Sequence, residues 1–462
     1  MTDIRGKELD SIFWAKSVAV VGASATPGKT GHTILKNILD AGYCGKVYPV
    51  NPKGGNILGI PVYPTLTSIG APLDLGVFVV PAELVPDLLA EGARAGMKGA
   101  VVISGGFGEV GNSDLEQRLV DTAEAFGVRL IGPNCQGINY APNRLCATWP
   151  LAKLQGPIAI VSQSGTVGAA LSGWAEQEGL GISGFVGLGN KADVSELELL
   201  EFFGRDPNTR VIAMYLERIK DGRRFMRLAD EVLKEKKIAV LKGGRTPEGK
   251  RAAQSHTRSV AGSYEVFSAV CRQLGLMAAW DVESLYDCAK FAALSDAPKG
   301  PRVLVVTSSG GSGILSADAI TESGLSMAAL TPDASRKLAE ALPSRCVISN
   351  PLDLTGDATS ERYRLAAEIA AQHDIADSLL FIFGDPIPGA SQVAAEAREK
   401  TELPVAVVYI GGGEVQGPET VAMHRLGIPA FPTPERAVRA LSAAFAAERI
   451  RRTSGNTGGV YR

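Results

Sequence analysis

The sequence predicts an α/β protein of three doubly wound units, and three observations predict it. Short apolar, β-branched runs recur along the chain, each followed by a turn and a segment of helical period. The runs are continuous rather than alternating, because a parallel strand covered by helices on both faces has no polar side. The rhythm breaks at APNRLCATWPLAKLQG and at DAPKGP, dividing the 462 residues into thirds near the commonest domain size. Domains are therefore expected over residues 1–145, 150–295 and 300–450, with 451–462 as a polar tail.

Composition limits the function. Hydrophobic residues make up 45% and charged residues 21% of the chain, the balance of an ordinary globular protein. The formal net charge of -2 supplies no basic field to gather nucleic acid or anionic lipid. MTDIRGKELDSIFW has no apolar h-region, and no run approaches the ~18 apolar residues that span a bilayer, so neither a secretory signal nor a membrane span is expected. Cys44, Cys135, Cys146, Cys271, Cys288 and Cys346 form no CxxC pair; neither a metal site nor a disulfide framework is expected, and a cytoplasmic location fits.

In the first unit SVAVVGASATPGKTGHTILKNIL reads as strand, Gly-rich turn and helix. Gly22, Gly28 and Gly31 allow a tight turn, and the helix start aims its N–H groups at an anion such as phosphate. A turn that merely needs glycine reads the same way. The spacing departs from GxGxxG, and after the second strand KVYPVNPKGG offers Lys53 where a ribose-binding acid is expected. A cation there suits a ligand with an extra phosphate, NADP or the 3′-phosphate of coenzyme A, rather than NAD.

In the second unit GRTPEGK fits GxxxxGK, but Arg251 stands where a P-loop has Ser or Thr, so a P-loop is rejected. SQSGTVGAALSGWA follows the strand PIAIV and opens a helix at Ser162, Ser164 and Gly165. Such a start binds an anion, or Ser164 simply caps the helix. Glu217 ends the run VIAMYLE, and His256 lies beyond IAVLK in RAAQSHTRSVAGS, a small, polar, poorly helical segment expected as a loop. Parallel strands bring all three segments to one carboxyl edge, which places an imidazole before an anion-binding helix start with a carboxylate to hold its tautomer. His32, His373 and His424 lack such company and are expected to be structural or surface residues. The third unit repeats the rhythm in RVLVVTS, SLLFIF and PVAVVYI.

Taken together these segments resemble the NDP-forming acyl-CoA synthetase family, relatives of succinyl-CoA synthetase, over nearly the whole chain. GASATPGKTG, NPKGG, VVPAELV, VVISGGFGE and GPNCQGIN resemble its Rossmann-like coenzyme A-binding domain. SQSGTVGAA, GLGNKADVSELELLEFF, YLERI and KGGRTPEGKRAAQSHTRSVAGS resemble its flavodoxin-like phosphohistidine domain, and SSGGSG with NPLDLTGDAT its second flavodoxin-like domain, an accessory one.

The resemblance implies a chemistry. An acid is activated as an acyl phosphate, coenzyme A takes the acyl group, and the phosphate passes through a histidine to ADP. By that likeness His256 is phosphorylated, Glu217 orients it, and Ser162, Ser164 and Gly165 cradle its phosphate. Coenzyme A falls to Gly22, Ser24, Lys29, Asn51, Lys53, Val80, Pro81, Ser104, Gly105 and Asn134, with Cys135 structural.

Two departures stand out. Where the family has Gly after the His-Thr pair this chain has Arg258, which either clamps the phosphate or an anionic group of the acid, or turns to solvent. No segment resembles an ATP-grasp domain, so the likeness implies an α subunit that works with an ATP-grasp β subunit, as an α2β2 heterotetramer whose partner holds ATP or ADP with Mg²⁺. Two rival readings are a coenzyme A- or NADP-binding sensor without ligase activity and an NADP-dependent oxidoreductase. The second lacks a Tyr-x-x-x-Lys or His-Asp relay beside the first loop.

Overall fold

A computed structural model of the chain describes residues 9–257 and 262–455. Two compact units divide it, Met1–Gln177 with Gly181–Phe267, and Glu178–Leu180 with Ser268–Arg462.

The first unit holds two sheets. One is wholly parallel, in the order Lys46–Val50, Ser17–Val21, Leu75–Phe78, Gly99–Val102, Arg129–Ile131. Every residue of Ser17–Val21, Leu75–Phe78 and Gly99–Val102 is buried, as continuous apolar runs require. The strand order reverses between Ser17–Val21 and Leu75–Phe78, which opens a crevice outside their carboxyl ends.

The other sheet sets Lys237–Lys242, Val211–Leu216, Gln155–Ser162 and Ile182–Gly187 in parallel, with its reversal between Gln155–Ser162 and Val211–Leu216. Gly137–Tyr140 and Leu145–Thr148 extend it antiparallel. The first sheet thus ends at Ile131, and hydrogen bonding assigns residues 137–145 to the second sheet rather than the first. The chain crosses through GPNCQG on left-handed backbone, φ +101° at Gly132, +55° at Asn134 and +94° at Gly137. Behind the crossing Phe13 stacks on Phe202 at 4.3 Å, with Tyr140 and Phe203 around them.

The second unit is one sheet in the order Ser326–Met327, Arg302–Thr307, Ser378–Phe383, Val405–Tyr409, Ala430–Phe431, with Leu352–Asp353 also paired to Arg302–Thr307. The turn Glu178–Leu180 belongs to this unit: Tyr286 Oη and Lys290 Nζ each donate to Glu178 Oε2 at 3.0 Å. The closing helix Pro434–Gly455 runs through the start of the expected tail, because Arg452 pairs with Glu448 one turn back at 3.0 Å and good helix formers precede it. Among the described residues no helix is long and apolar enough to cross a membrane, and no His, Cys, Asp and Glu cluster is able to hold a metal ion. All six cysteines are free thiols.

Candidate functional site

The carboxyl edge of the first sheet gathers the residues expected to bind coenzyme A. Gly22 follows the first strand at φ +93°, and a Cβ there would meet Val79 O at 2.3 Å, so the two loops flanking the crevice touch. Asn51 ends the second strand and donates from Nδ2 to Ala23 O at 2.9 Å, while its Oδ1 accepts from Lys53 N at 3.0 Å. Ser104 Oγ donates to Val80 O at 2.5 Å and accepts from Val80 N at 3.1 Å, fixing the peptide before Pro81. The helix Thr30–Asp40 opens at Lys29 with no side-chain cap and no acidic residue in its first turn, and Ser24 stands at the head of the exposed loop before it. An uncapped, acid-free helix start flanked by the exposed Lys29 and Lys53 fits the phosphates of a nucleotide-like ligand.

The reversal point of the second sheet gathers the rest. Ser162, wholly buried, donates to Ser164 O at 2.5 Å, and Ser164 Oγ accepts from Val167 N at 3.4 Å, so Ser164 does cap its helix. That cap leaves the helix Gly165–Gln177 without an acidic residue in its first turn, and its dipole faces the crevice unneutralised. Glu217 follows the adjacent strand. Its carboxylate accepts from Tyr215 Oη at 3.4 Å, and burial, with the Glu217 charge second, pushes the Tyr215 phenol up to about 12.

Residues that the sequence reading missed hold this arrangement together. Lys242, 4% exposed, donates from Nζ to Glu217 O and Gly243 O, both at 2.6 Å, and burial lowers its pKa. Lys191 pairs with the buried Glu196 at 2.8 Å and donates to Arg218 O at 2.8 Å. Burial lowers the Lys191 pKa, with Glu196 acting against it. Charges inside an apolar sheet leave no periodic trace in a sequence; only Gln163, a polar residue set at a strand end between two serines, offered a signal.

The crossing loop joins the two edges. Asn134 N donates to Ser104 O at 2.9 Å, and a Cβ at Gly105 would lie 3.1 Å from Asn134 Oδ1. At the other end of the loop, a Cβ at Gly165 would lie 2.6 Å from Gln136 Oε1. Asn190 braces the loop, accepting from Asn134 Nδ2 at 3.3 Å and donating to Glu109 Oε2 at 2.6 Å. Burial raises the Glu109 pKa, but the hydrogen bonds from Asn190 and the 106 and 107 amides outweigh it and leave it below its ordinary value. Cys135 points away from this work: its thiol donates to Val102 O at 3.2 Å, and burial pushes it up to about 12. A cleft lined by Lys98, Arg129 and Asp193 lies at the opposite, amino edge of the first sheet and holds none of these residues.

The segment carrying His256 is helical, not a loop: the helix Pro247–Thr257 runs through it. Pro247 opens that helix, Thr246 Oγ1 accepts from Gly249 N at 3.0 Å, and Lys250, Arg251, Ala252 and Ala253 are good helix formers. Its backbone follows the strand Lys237–Lys242 at the same carboxyl edge. The His256 side chain and Arg258 lie outside the described residues. Of the other histidines, His424 is buried and structural, with Nδ1 donating to Glu178 O at 2.9 Å.

Comparison with known proteins matches each part in order. Residues 16–141 match the family described as CoA binding domain, 155–292 the succinyl-CoA ligase like flavodoxin domain, and 303–453 the ligase-CoA domain. The ADP-forming acetate-CoA ligase I subunit alpha of Pyrococcus furiosus is 42% identical over 449 residues, covering 95% of this chain and 97% of that one. The ADP-forming acetate-CoA ligase I of Archaeoglobus fulgidus is 42% identical over 81% of this chain, which spans 54% of that longer relative. Among solved structures, the dinucleotide forming acetyl-coenzyme A synthetase 1 of Ca. Korarchaeum cryptofilum, in complex with phosphate and ADP, is 38% identical with a TM-score of 0.88, over 98% of this chain and 99% of that one. The chain belongs to the NDP-forming acyl-CoA synthetase family, acid-thiol ligases of the succinyl-CoA ligase type.

Proposed function

We propose that the chain is the α subunit of an ADP-forming acyl-CoA synthetase, interconverting an organic acid, coenzyme A and ATP with acyl-CoA, ADP and phosphate. The observation that carries this reading is the crossing loop 132–136, which sets Gly105 of the coenzyme edge and Gly165 of the anion-binding helix start against one short segment. Gly22, Ser24, Lys29, Asn51, Lys53, Val80, Pro81, Ser104, Gly105 and Asn134 bind coenzyme A with its thiol toward Asn134.

Run toward ATP, phosphate attacks the thioester carbonyl, the C–S bond breaks and the thiol leaves. His256 then attacks the phosphorus of the acyl phosphate, the P–O bond breaks and the acid departs as its carboxylate. Glu217 holds the imidazole tautomer that attacks, and the Ser162, Ser164 and Gly165 segment takes the charge of the moving phosphoryl group. The phosphoryl group reaches ADP, with Mg²⁺, on an ATP-grasp β subunit in an α2β2 assembly. The longer Archaeoglobus fulgidus relative, of which this chain spans 54%, supports a partner of comparable size. Six free thiols suit the reducing cytoplasm.

The test is to co-express the chain with its partner, add labelled ATP and Mg²⁺, and follow an acid-labile, base-stable phosphate on this chain. Label that vanishes in His256→Asn supports the phosphohistidine; no label with an active partner overturns it in favour of a coenzyme-binding sensor. A screen of acids, acetate first, then names the substrate. In that screen Arg258→Gly shifts the preference away from dicarboxylic or sulfonated acids if Arg258 clamps an anionic group, and unchanged Michaelis constants sink that role.

A further inference from the structure

Gln163 stands at the reversal point of the second sheet, where its side chain crosses from one strand end to the next. Its Oε1 accepts from Glu217 N at 2.6 Å and Arg218 N at 3.0 Å, and its Nε2 donates to Arg218 O at 2.8 Å and Glu196 Oε2 at 3.4 Å. Two successive amides are thus fixed by one carboxamide. Lys191 reaches the same Arg218 carbonyl, and Lys242 holds the Glu217 carbonyl from the other side. Lys191 does so from left-handed backbone, φ +57°, and Glu196 is 1% exposed with an Oε1 that finds no partner among the described residues. Strained backbone and an idle buried carboxylate oxygen gather at one spot, as they do at functional sites.

Joining the strand ends does not demand this much. In the third sheet Ser308 occupies the corresponding place and makes one such bond, accepting from Gly384 N at 2.9 Å. We infer that Gln163 is a positioning residue for phosphoryl transfer, locking the Glu217 peptide in register with the Ser164 helix start so that the carboxylate meets His256. The inference rests on the phosphohistidine reading above.

Two variants test it in the holoenzyme. Gln163→Glu keeps size and both acceptor bonds but faces Arg218 O and Glu196 without a proton to donate; protonation restores the donor, and burial with Glu196 and the Arg218 carbonyl favours it against the opposing charge of Lys191. The expected result, against wild type at the same pH, is phosphorylation of this chain about 100-fold slower near pH 8, recovering about tenfold by pH 6, with the chain folded and coenzyme A affinity kept. The melting temperature should be lower at about pH 8 than at about pH 6, because the introduced carboxylate is then charged. Gln163→Ser, which copies the side chain of Ser308, folds and is slowed at both pH values without recovery. Either variant within about twofold of wild type, or a Gln163→Glu defect that ignores pH, overturns the inference. Wild-type chain in the same assay separates the two readings: labelled wild type with equally labelled variants sinks the positioning role alone, whereas unlabelled wild type sinks the phosphohistidine reading and this inference with it.

Discussion

Ser162-Gln163-Ser164 in the first compact unit and Thr307-Ser308-Ser309 in the second each close the first parallel strand of their sheet and hold the next helix in the same way. Ser162 Oγ donates to Ser164 O at 2.5 Å, and Thr307 Oγ1 to Ser309 O at 2.9 Å. Ser164 and Ser309 each accept from the amide three residues on at 3.4 Å. The middle residue donates its backbone N–H to the neighbouring strand, Gln163 to Tyr215 O at 3.0 Å and Ser308 to Ile382 O at 3.1 Å. Beyond that strand the two part company: one sheet presents Glu217, the other Gly384. The clamp therefore belongs to the doubly wound plan, and the two sites differ in what is hung on it, a carboxylate, a longer carboxamide and a buried Lys191–Glu196 pair to which the proposed function assigns the chemistry.

The sharpest way to break this comparison is to remove the charge at one site only. Glu217→Gln should slow phosphorylation of the chain on the order of 1000-fold while leaving its melting temperature in place; an active variant would reduce the two helix starts to equivalents. Next in size, Gly165→Ala pushes a methyl group toward Gln136 Oε1 and should cost about 100-fold in kcat/KM for coenzyme A.

The corresponding change in the third sheet should register as stability instead. A Cβ at Gly384 would lie 2.6 Å from Ser309 Cβ, so Gly384→Ala is expected to destabilise by about 1–3 kcal/mol in denaturant unfolding with the kinetic constants retained. The smallest effect concerns His424, whose pKa is lowered by burial and then by Lys290. The unfolded chain binds this proton more readily than the folded one, so stability is fully present above the unfolded value of about 6.5 and declines as pH falls below it. Unfolding midpoints at about pH 7.5 and 5.5 should differ in wild type, and His424→Gln should narrow the gap.

The strands were legible because burial on both faces writes itself as an apolar run: PIAIVS and RVLVVT coincide with Gln155–Ser162 and Arg302–Thr307. Glycine turns and hydroxyls at helix starts were legible for the same local reason. What escaped depends on contacts distant in sequence. GINY read as part of the first domain and LCAT as part of the break after it, yet both extend the second sheet because Asn134 and Gly137 turn the chain on left-handed backbone. Lys191, Glu196 and Lys242 had no role in the sequence until the fold buried them, and the helix through His256 was obscured by its small polar residues although Lys250 to Ala253 favour it.

The crossing loop has a thermodynamic consequence. Five residues, 132–136, abut Gly105 on one side and Gly165 on the other, in packing with no spare methyl's width. Displacement at one end is passed to the other because packed interiors yield little. On the function proposed above, whatever factor a bound thiol imposes on phosphate affinity, phosphate imposes in return on the thiol by linkage. On that same reading, coenzyme A and phosphate thereby draw on a common free energy through the absence of two side chains.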